Sequence, residues 1–253
     1  MKLNFYKYQG TGNDFILLDS RENPFLFQTL CDRHFGVGAD GIILIQNDDE
    51  YKSDFYMKYC NSDGKESTMC GNGGRCAIFF ANQLGIDKIH FRAIDGYHDG
   101  FIKDNLVSIN LLNIDKNTIE IHNKYVFLNT GSPHHILFVE NIKEKNVCQE
   151  GKKIRLQSPY LEKGVNVNFV KILKNNMLQV RTYERGVENE TLSCGTGVVA
   201  SVIAACETNK IGKILVQTLG GKLWVSLKKT KNEYFDIHLT GNVKFIFKGS
   251  ILI

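Results

Sequence analysis

Two eight-residue segments of this chain align without a gap: Glu66-Ser-Thr-Met-Cys70-Gly-Asn-Gly and Glu190-Thr-Leu-Ser-Cys194-Gly-Thr-Gly. Their cysteines stand close to half of the 253-residue chain apart, so the repeat predicts a duplicated architecture with one thiol in each half. Each segment runs into an apolar stretch, Ala77-Ile-Phe-Phe-Ala81 in the first half and Val198-Val-Ala-Ser-Val-Ile-Ala-Ala-Cys206 in the second. A helix that is apolar on nearly every face has to be enclosed on all sides. A curved sheet wrapped around one central helix, built twice, meets that requirement.

The rest of the chain reads mainly as short strands between Gly, Asn and Asp turns: Leu3–Tyr8, Phe15–Leu18, Gly41–Ile45, Ser53–Tyr59, Leu106–Leu111, Tyr125–Leu128, Met177–Tyr183, Lys222–Leu227, Tyr234–Leu239 and Val243–Phe247. Helical stretches are few: Pro24–Phe35, the run from Cys70 to Gly85, and the run after Cys194. The expected fold class is therefore α+β, with two pseudo-symmetric domains, each a barrel-like, mostly antiparallel sheet around a central helix. The polar stretch Asn113-Ile-Asp-Lys-Asn-Thr118 marks the boundary, giving a first domain over 1–115, completed by a C-terminal strand at 243–253, and a second over 116–242.

Composition narrows the function classes. The net charge of +4 comes from Lys and Arg scattered without a run of five, which argues against nucleic acid or a membrane surface as partner. No segment approaches the ~20 consecutive apolar residues that cross a bilayer, and the N-terminus lacks the apolar core of a secretory signal. Seven cysteines, an odd number without a C-x-x-C pair, fit reduced thiols and a cytoplasmic address.

A thiol at a helix start has its thiolate stabilised by backbone amides and the helix dipole, and can serve as nucleophile, redox centre, metal ligand or proton shuttle. Cys70-x5-Cys76 without a nearby His pair is a poor zinc site. Nucleophilic catalysis needs one cysteine and a base, whereas here two cysteines occur in matched settings. Redox chemistry of two apposed thiols stays open. Matched thiols also suit inversion of a stereocentre, in which one sulfur removes a proton and the other supplies one from the opposite side; like charges keep one of the two protonated. Amides after both cysteines, Gly71 and Asn72 in one loop and Gly195 and Thr196 in the other, could hold a carboxylate there. Cys76 and Cys206 read as core packing, and Cys31, Cys60 and Cys148 as structural.

Gly10-Thr-Gly-Asn13-Asp-Phe, Asn61-Ser-Asp-Gly64, Met69-Cys70-Gly-Asn-Gly-Gly-Arg75, Gly131-Ser-Pro-His134, Gly164-Val-Asn166-Val-Asn-Phe, Tyr183-Glu184-Arg185-Gly186 and Cys194-Gly-Thr-Gly197 together resemble, in that order and over the whole length, the diaminopimelate epimerase family. The resemblance implies an isomerase that interconverts LL- and meso-diaminopimelate without a cofactor or a metal, in lysine and cell-wall precursor biosynthesis, and a homodimer. Carried over by position, Cys70 and Cys194 are the acid/base pair. Asn13, Asn61, Asn166, Glu184 and Arg185 contact the substrate, Gly71, Asn72, Gly195 and Thr196 supply amides to the reacting carboxylate, and His134 and Glu184 adjust the thiols. Arg185 suits a bidentate grip on a distal carboxylate; read alone, it could equally pair with Glu184 or Glu188. The three asparagines offer donors and acceptors for a zwitterion, and read alone each also suits a turn. His135 stands beside His134, and only the motif selects between them; His34 reads as a helix-end residue. Ser132 stands where family members often have Asn, Gly41 where some have Gln, and the loop Val187–Ser193 is longer than in some relatives. Proline and hydroxyproline racemases share the paired cysteines but match less well at Asn72 and have no use for the distal-carboxylate group around Arg185.

Overall fold

The computed structural model describes residues 2–21, 28–50, 52–87, 89–175, 177–208 and 214–252. The chain divides into two compact units, Met1–Asn110 with Thr240–Ile253, and Leu111–Leu239.

In chain order the first unit contains β1 (Lys2–Gly10), β2 (Asn13–Asp19), β3 (Gly41–Gln46), β4 (Phe55–Asn61), α1 (Gly71–Gln83), β5 (Ile89–Ala93), β6 (Gly96–Lys103) and β7 (Leu106–Leu111). The second contains β8 (Ile114–Asp115), β9 (Glu120–Ile121), β10 (Val126–Asn129), β11 (Pro133–Phe138), α2 (Val147–Arg155), β12 (Asn166–Leu173), β13 (Met177–Glu184), β14 (Asn189–Thr191), α3 (Gly195–Thr208), β15 (Ile214–Thr218) and β16 (Gly221–Lys229). A last strand, β17 (Glu233–Leu252), begins in the second unit and ends in the first.

The first unit is a closed ring of strands. β1 pairs antiparallel with β2, β2 parallel with β3, β3 antiparallel with β4, β4 parallel with β5, and β5 antiparallel with β6. β6 then pairs antiparallel with β7, and the later half of β17 closes the ring against β7 and β1. The second unit repeats the order: β10 antiparallel to β11, β11 parallel to β12, β12 antiparallel to β13, β13 parallel to β15, and β15 antiparallel to β16. In both units the helix that follows a cysteine lies in the second parallel crossover, between β4 and β5 or between β13 and β15.

Neither central helix has a sequence that would hold by itself. α1 carries Gly71, Gly73 and Gly74, each about 1 kcal/mol worse than Ala in a helix interior, and α3 is rich in β-branched residues. Enclosure supplies the stability instead: Gly71–Ile78, Phe80 and Ala81 are buried in α1, and Val198–Cys206 in α3. The glycines let the sheet come close. A Cβ at Gly74 would lie 2.4 Å from Ile109 Cδ1, and one at Gly73 3.1 Å from Ile43 Cδ1. α1 ends in a left-handed Gly85 (φ 86°), with Ile86 N–H on the Ala81 carbonyl and Gly85 N–H on that of Asn82, a Schellman closure.

β2 is apolar on both faces because both are covered. Phe15 faces Gly73 of α1, while Ile16 and Leu18 join Phe5, Leu30, Cys31, Ala39, Ile42 and Leu44 in an outer cluster. The segment that supplies Leu30 and Cys31 departs from the expected helix Pro24–Phe35. Residues 24–27 lie outside the described residues, and the rest forms one 3-10 turn, Gln28–Cys31. It ends because the Asp32 carboxylate takes the amides of His34 and Phe35, both at 2.7 Å, and turns the chain. His34 accordingly sits in a turn and not at a helix end. The corresponding outer cover of the second unit is α2, which the strand and helix patterns did not predict. It lies over Val165, Val167, Phe169 and Tyr183, with Gly151 so close that a Cβ would be 2.4 Å from Tyr183 Cβ. The two expected strands Tyr234–Leu239 and Val243–Phe247 are one continuous strand.

Candidate active site

Each unit carries its own cluster around its cysteine. In the first, Cys70 immediately precedes α1 in extended backbone (φ −87°, ψ 125°), and its carbonyl accepts the Gly74 amide at 2.6 Å. The amides of the first helical turn, those of Gly71 and Asn72 among them, have no acceptor within the helix and point out of its positive end. Asn13 Oδ1 lies 4.0 Å from Cys70 Sγ and accepts from Asn72 Nδ2 at 3.2 Å, while Asn13 Nδ2 donates to Asp40 at 2.6 Å. Asn13 is thus held in place by a carboxylate that Arg33 also grips. Behind it, Asp14 pairs with Lys7 at 2.7 Å and with Arg33 at 2.8 Å. Burial alone would raise the Asp14 carboxyl, but these two cations outweigh burial and hold it at about 2.

Beneath the first turn of α1 lies Arg75, fully buried, donating to Thr11 Oγ1 at 2.6 Å, Asn72 Oδ1 at 3.0 Å and the Gly71 carbonyl at 3.1 Å. Burial pulls its pKa down to about 10, which leaves it a cation at neutral pH. The sequence motif contained Arg75 without giving it a role; a lone charge in an otherwise apolar helix was the available signal. Asn61 ends β4, where its backbone closes a turn with Lys65 and Gly64. It pairs with Gly41 across the ladder. A Cβ at Gly41 would lie 2.6 Å from the Tyr59 ring and 2.7 Å from the Cys60 carbonyl, so this frame has no space for a side chain such as Gln at that position.

In the second unit Cys194 directly precedes α3, is 8% exposed, and accepts the Val198 amide on its carbonyl at 2.9 Å. Its Sγ lies 3.5 Å from Thr196 Oγ1, and that hydroxyl lies 3.0 Å from His134 Nε2. His134 is fully buried; desolvation, with the charge of Arg185 adding to it, drops its pKa to about 3, so the ring is neutral. His135, the neighbour that sequence alone could not exclude, stacks on Tyr125 and bonds Tyr160 away from this cluster.

Asn166 is 2% exposed, and its side chain is committed to protein: Nδ2 donates to Ser132 Oγ and the Pro133 carbonyl, both at 3.0 Å, and Oδ1 accepts the Arg185 amide at 2.9 Å. Arg185 Nη2 also reaches Ser132 at 3.2 Å and Nη1 reaches the Lys163 carbonyl at 3.1 Å. Gly164 (φ 71°) leaves room for it, since a Cβ there would fall 2.7 Å from Arg185 Cδ and 2.8 Å from Arg155 Cζ. Glu188, a conceivable partner for Arg185, pairs with Arg155 instead. Glu184 closes β13 and accepts the Thr191 hydroxyl at 2.7 Å. Thr130 donates to the Thr196 carbonyl at 3.0 Å.

Sequence reasoning missed Asn168 and Thr182. Asn168 is fully buried and joined to His134 at 3.0 Å and to Thr182 at 2.9 Å. The signal was the pattern Asn166-Val-Asn168 within an apolar run, which puts two amides on one face of a strand. Among the described residues no group of three or more His, Cys, Asp or Glu side chains could hold a metal ion, and no helix is long and apolar enough to cross a membrane.

A cysteine at the start of an enclosed helix, beside Asn13 in one unit and Thr196 in the other, is the arrangement that the comparisons with known proteins address. The family model described as diaminopimelate epimerase matches twice, over residues 5–123 and again over 126–246. The chain belongs to the diaminopimelate epimerase family. It is 48% identical to the diaminopimelate epimerase of Flavobacterium psychrophilum over 98% of this chain and 100% of that one. It is 37% identical to the diaminopimelate epimerase of Aquifex aeolicus over 98% of each. A hydroxyproline epimerase from Agrobacterium vitis with bound trans-4-hydroxy-L-proline has the same fold at a TM-score of 0.73 and 12% identity, covering 99% of this chain and 92% of that chain. A Bacillus anthracis phenazine biosynthesis protein of the PhzF family does so at a TM-score of 0.72 and 14% identity, covering 100% of each. The family assignment and the fold shared with these two solved structures agree with the α+β duplication expected from the repeat.

Proposed function

We infer that this protein interconverts LL- and meso-2,6-diaminopimelate without a cofactor, with Cys70 and Cys194 as its acid/base pair. The observation that carries this reading is the matched placement of the two cysteines at the starts of two enclosed helices, in a chain that belongs to the family over nearly its full length. One sulfur, as thiolate, takes the proton of the substrate's α-carbon and becomes a thiol; the C–H electron pair passes into the adjacent carboxylate. The other sulfur, as thiol, returns a proton to the opposite face and becomes the thiolate, so the pair is ready for the reverse direction. Amides of Gly71, Asn72, Gly195 and Thr196 would stabilise the charge that builds on the carboxylate.

Asn13 and Asn61 are proposed substrate contacts in the first unit. Arg185 and Glu184 take that role in the second, Arg185 gripping the distal carboxylate beside Arg155. Asn166 would hold Ser132 and Arg185 in position, since its own amide is already occupied. The same reading makes each unit an epimerase domain, the first completed by the end of β17. It gives the protein a cytoplasmic address and makes it a homodimer; exposed Phe245, Ile246 and Phe247 on β17 support the dimer.

The test is α-proton exchange in D2O with LL-diaminopimelate and with L-proline. Exchange with diaminopimelate alone is the expected result, with epimerisation abolished in folded Cys70→Ala and Cys194→Ala variants. Exchange with proline alone would move the protein to the racemase reading, and exchange with neither would remove the enzyme reading.

A further inference from the structure

The second unit contains a buried hydrogen-bond chain whose direction is fixed by its own partners. Asn168 Nδ2 lies 3.4 Å from the Asn166 carbonyl as well as 3.0 Å from His134 Nδ1. A carbonyl only accepts, so the end of the amide facing both groups is the NH2 end. Its other end, Oδ1, accepts the Thr182 hydroxyl at 2.9 Å, opposite Asn168 in the β12–β13 ladder. His134 Nδ1 is therefore an acceptor, and the single proton of the neutral ring sits on Nε2. That N–H donates to Thr196 Oγ1 at 3.0 Å, which frees the threonine hydrogen to point at Cys194 Sγ 3.5 Å away.

We propose that Asn168 is a positioning residue for the reaction: it selects the His134 tautomer that turns the Thr196 hydroxyl into a hydrogen-bond donor toward the Cys194 sulfur. The thiolate form of Cys194 gains a donor, and the thiol form loses nothing it needs. Gly197 makes the arrangement sterically possible, because a Cβ there would stand 2.4 Å from Asn168 Oδ1 and 3.3 Å from both Cys194 Sγ and His134 Cε1. The charged and titratable groups around the chain are few. Arg185, past the end of β13, bears on His134 electrostatically, and Glu184, at the end of β13, is engaged by Thr191. β12 and the body of β13 contribute the neutral Asn166, Asn168 and Thr182 to the cluster, and Thr130 caps the Thr196 carbonyl. The hydrogen-bond chain stands on geometry alone; its catalytic meaning rests on the function proposed above.

Two measurements without substrate test it in the full-length protein. Nitrogen-15 NMR of histidine-labelled protein, with His134 assigned through a His134→Gln variant, should show a bare Nδ1 and a protonated Nε2 from pH 5 to pH 9. A protonated Nδ1 would overturn the proposal, whatever the variants do. Alkylation of Cys194 by iodoacetamide, read peptide by peptide, then reports how readily its thiolate forms. Thr196→Val should move the alkylation curve up by about one pH unit, and Thr196→Ser should leave it near wild type. Asn168→Leu should move it in the same direction, and the double variant Asn168→Leu with Thr196→Val no further than Thr196→Val alone. An unmoved curve in folded Asn168→Leu, or additive shifts, would refute the link from Asn168 to the sulfur. Should Asn168→Leu fail to fold, the tautomer decides. Epimerisation at neutral pH should fall roughly tenfold in Thr196→Val; loss of that effect with the tautomer intact would fault the acid/base assignment and not the hydrogen-bond chain.

Discussion

Gly197→Ala sets helix propensity against packing, and the two predict opposite signs. Gly197 lies in the first turn of α3, where replacing glycine by alanine ordinarily stabilises a protein by about 1 kcal/mol. Here the new methyl carbon would stand 2.4 Å from Asn168 Oδ1, and such contacts essentially never fall below 3.0 Å. The amide has to retreat by about 0.6 Å (3.0 − 2.4). It is pinned by buried hydrogen bonds of 2.9 Å to Thr182 and 3.0 Å to His134, and the neighbouring Cys194 and His134 leave no easy alternative. Leaving two buried partners unsatisfied costs about 1–3 kcal/mol each. After the propensity gain of about 1 kcal/mol the variant should be less stable by about 1–5 kcal/mol, a fall of at least about 2–4 °C in melting temperature for a chain of this size. Melting followed by circular dichroism measures this, alongside the turnover assay, in which activity should fall in parallel. A variant that melts at or above wild type with full activity would refute the reasoning, because it would show that Asn168 moves without loss.

Acid should weaken the first unit through Asp14, whose carboxyl is held at about 2 against 3.8 in the unfolded chain. A depressed carboxyl stabilises above the unfolded value and gives that stability up as pH falls through the folded one, so about 1–2 kcal/mol disappears between pH 4 and pH 2. Asp14→Asn should flatten this part of the unfolding profile and lower stability at neutral pH by a similar amount, because it leaves buried Lys7 without its carboxylate; a parallel acid slope in the variant would contradict this. Sedimentation of wild type should give a dimer, and Phe245→Asp with Phe247→Asp should give an active-site cluster intact by Cys70 alkylation but a monomeric species; a dimer unaffected by both charges would place the association elsewhere.

The central helices were legible because enclosure leaves a mark that no surface helix carries: apolar residues on every face after a Gly-rich start. The Cys-Gly-x-Gly repeat located both of them and the thiols that precede them. Other elements left weaker marks. β5 and β6 carry His90, Arg92, His98 and Asp99 between apolar positions and are interrupted by Gly96 and Gly100, so the period-2 signal is diluted. Gly100 is there because Ile78 of α1 lies where its Cβ would be, at 2.3 Å, a packing requirement invisible along one strand. Thr240-Gly-Asn242 reads as a turn, yet the backbone continues because its pairing partners on β1 demand extension from Val243 onward. The expected helix through Asp32 failed for a local reason, a side chain that competes for the same amides. In the candidate site the cysteines and the residues of the Gly-rich motifs were legible. The polar residues that hold them, Asn168, Thr182 and Arg75, were not, because their meaning lies in partners 14 to 64 positions away.

The stave that seals the first barrel follows the whole of the second unit in the sequence. Until residues 240–253 emerge, β1 and β7 of the first unit present bare edges, although every other strand of that unit has long been synthesised. The order of manufacture and the order of completion are therefore reversed: the later-made unit can finish first, and a chain interrupted before this strand leaves open the half that holds Cys70.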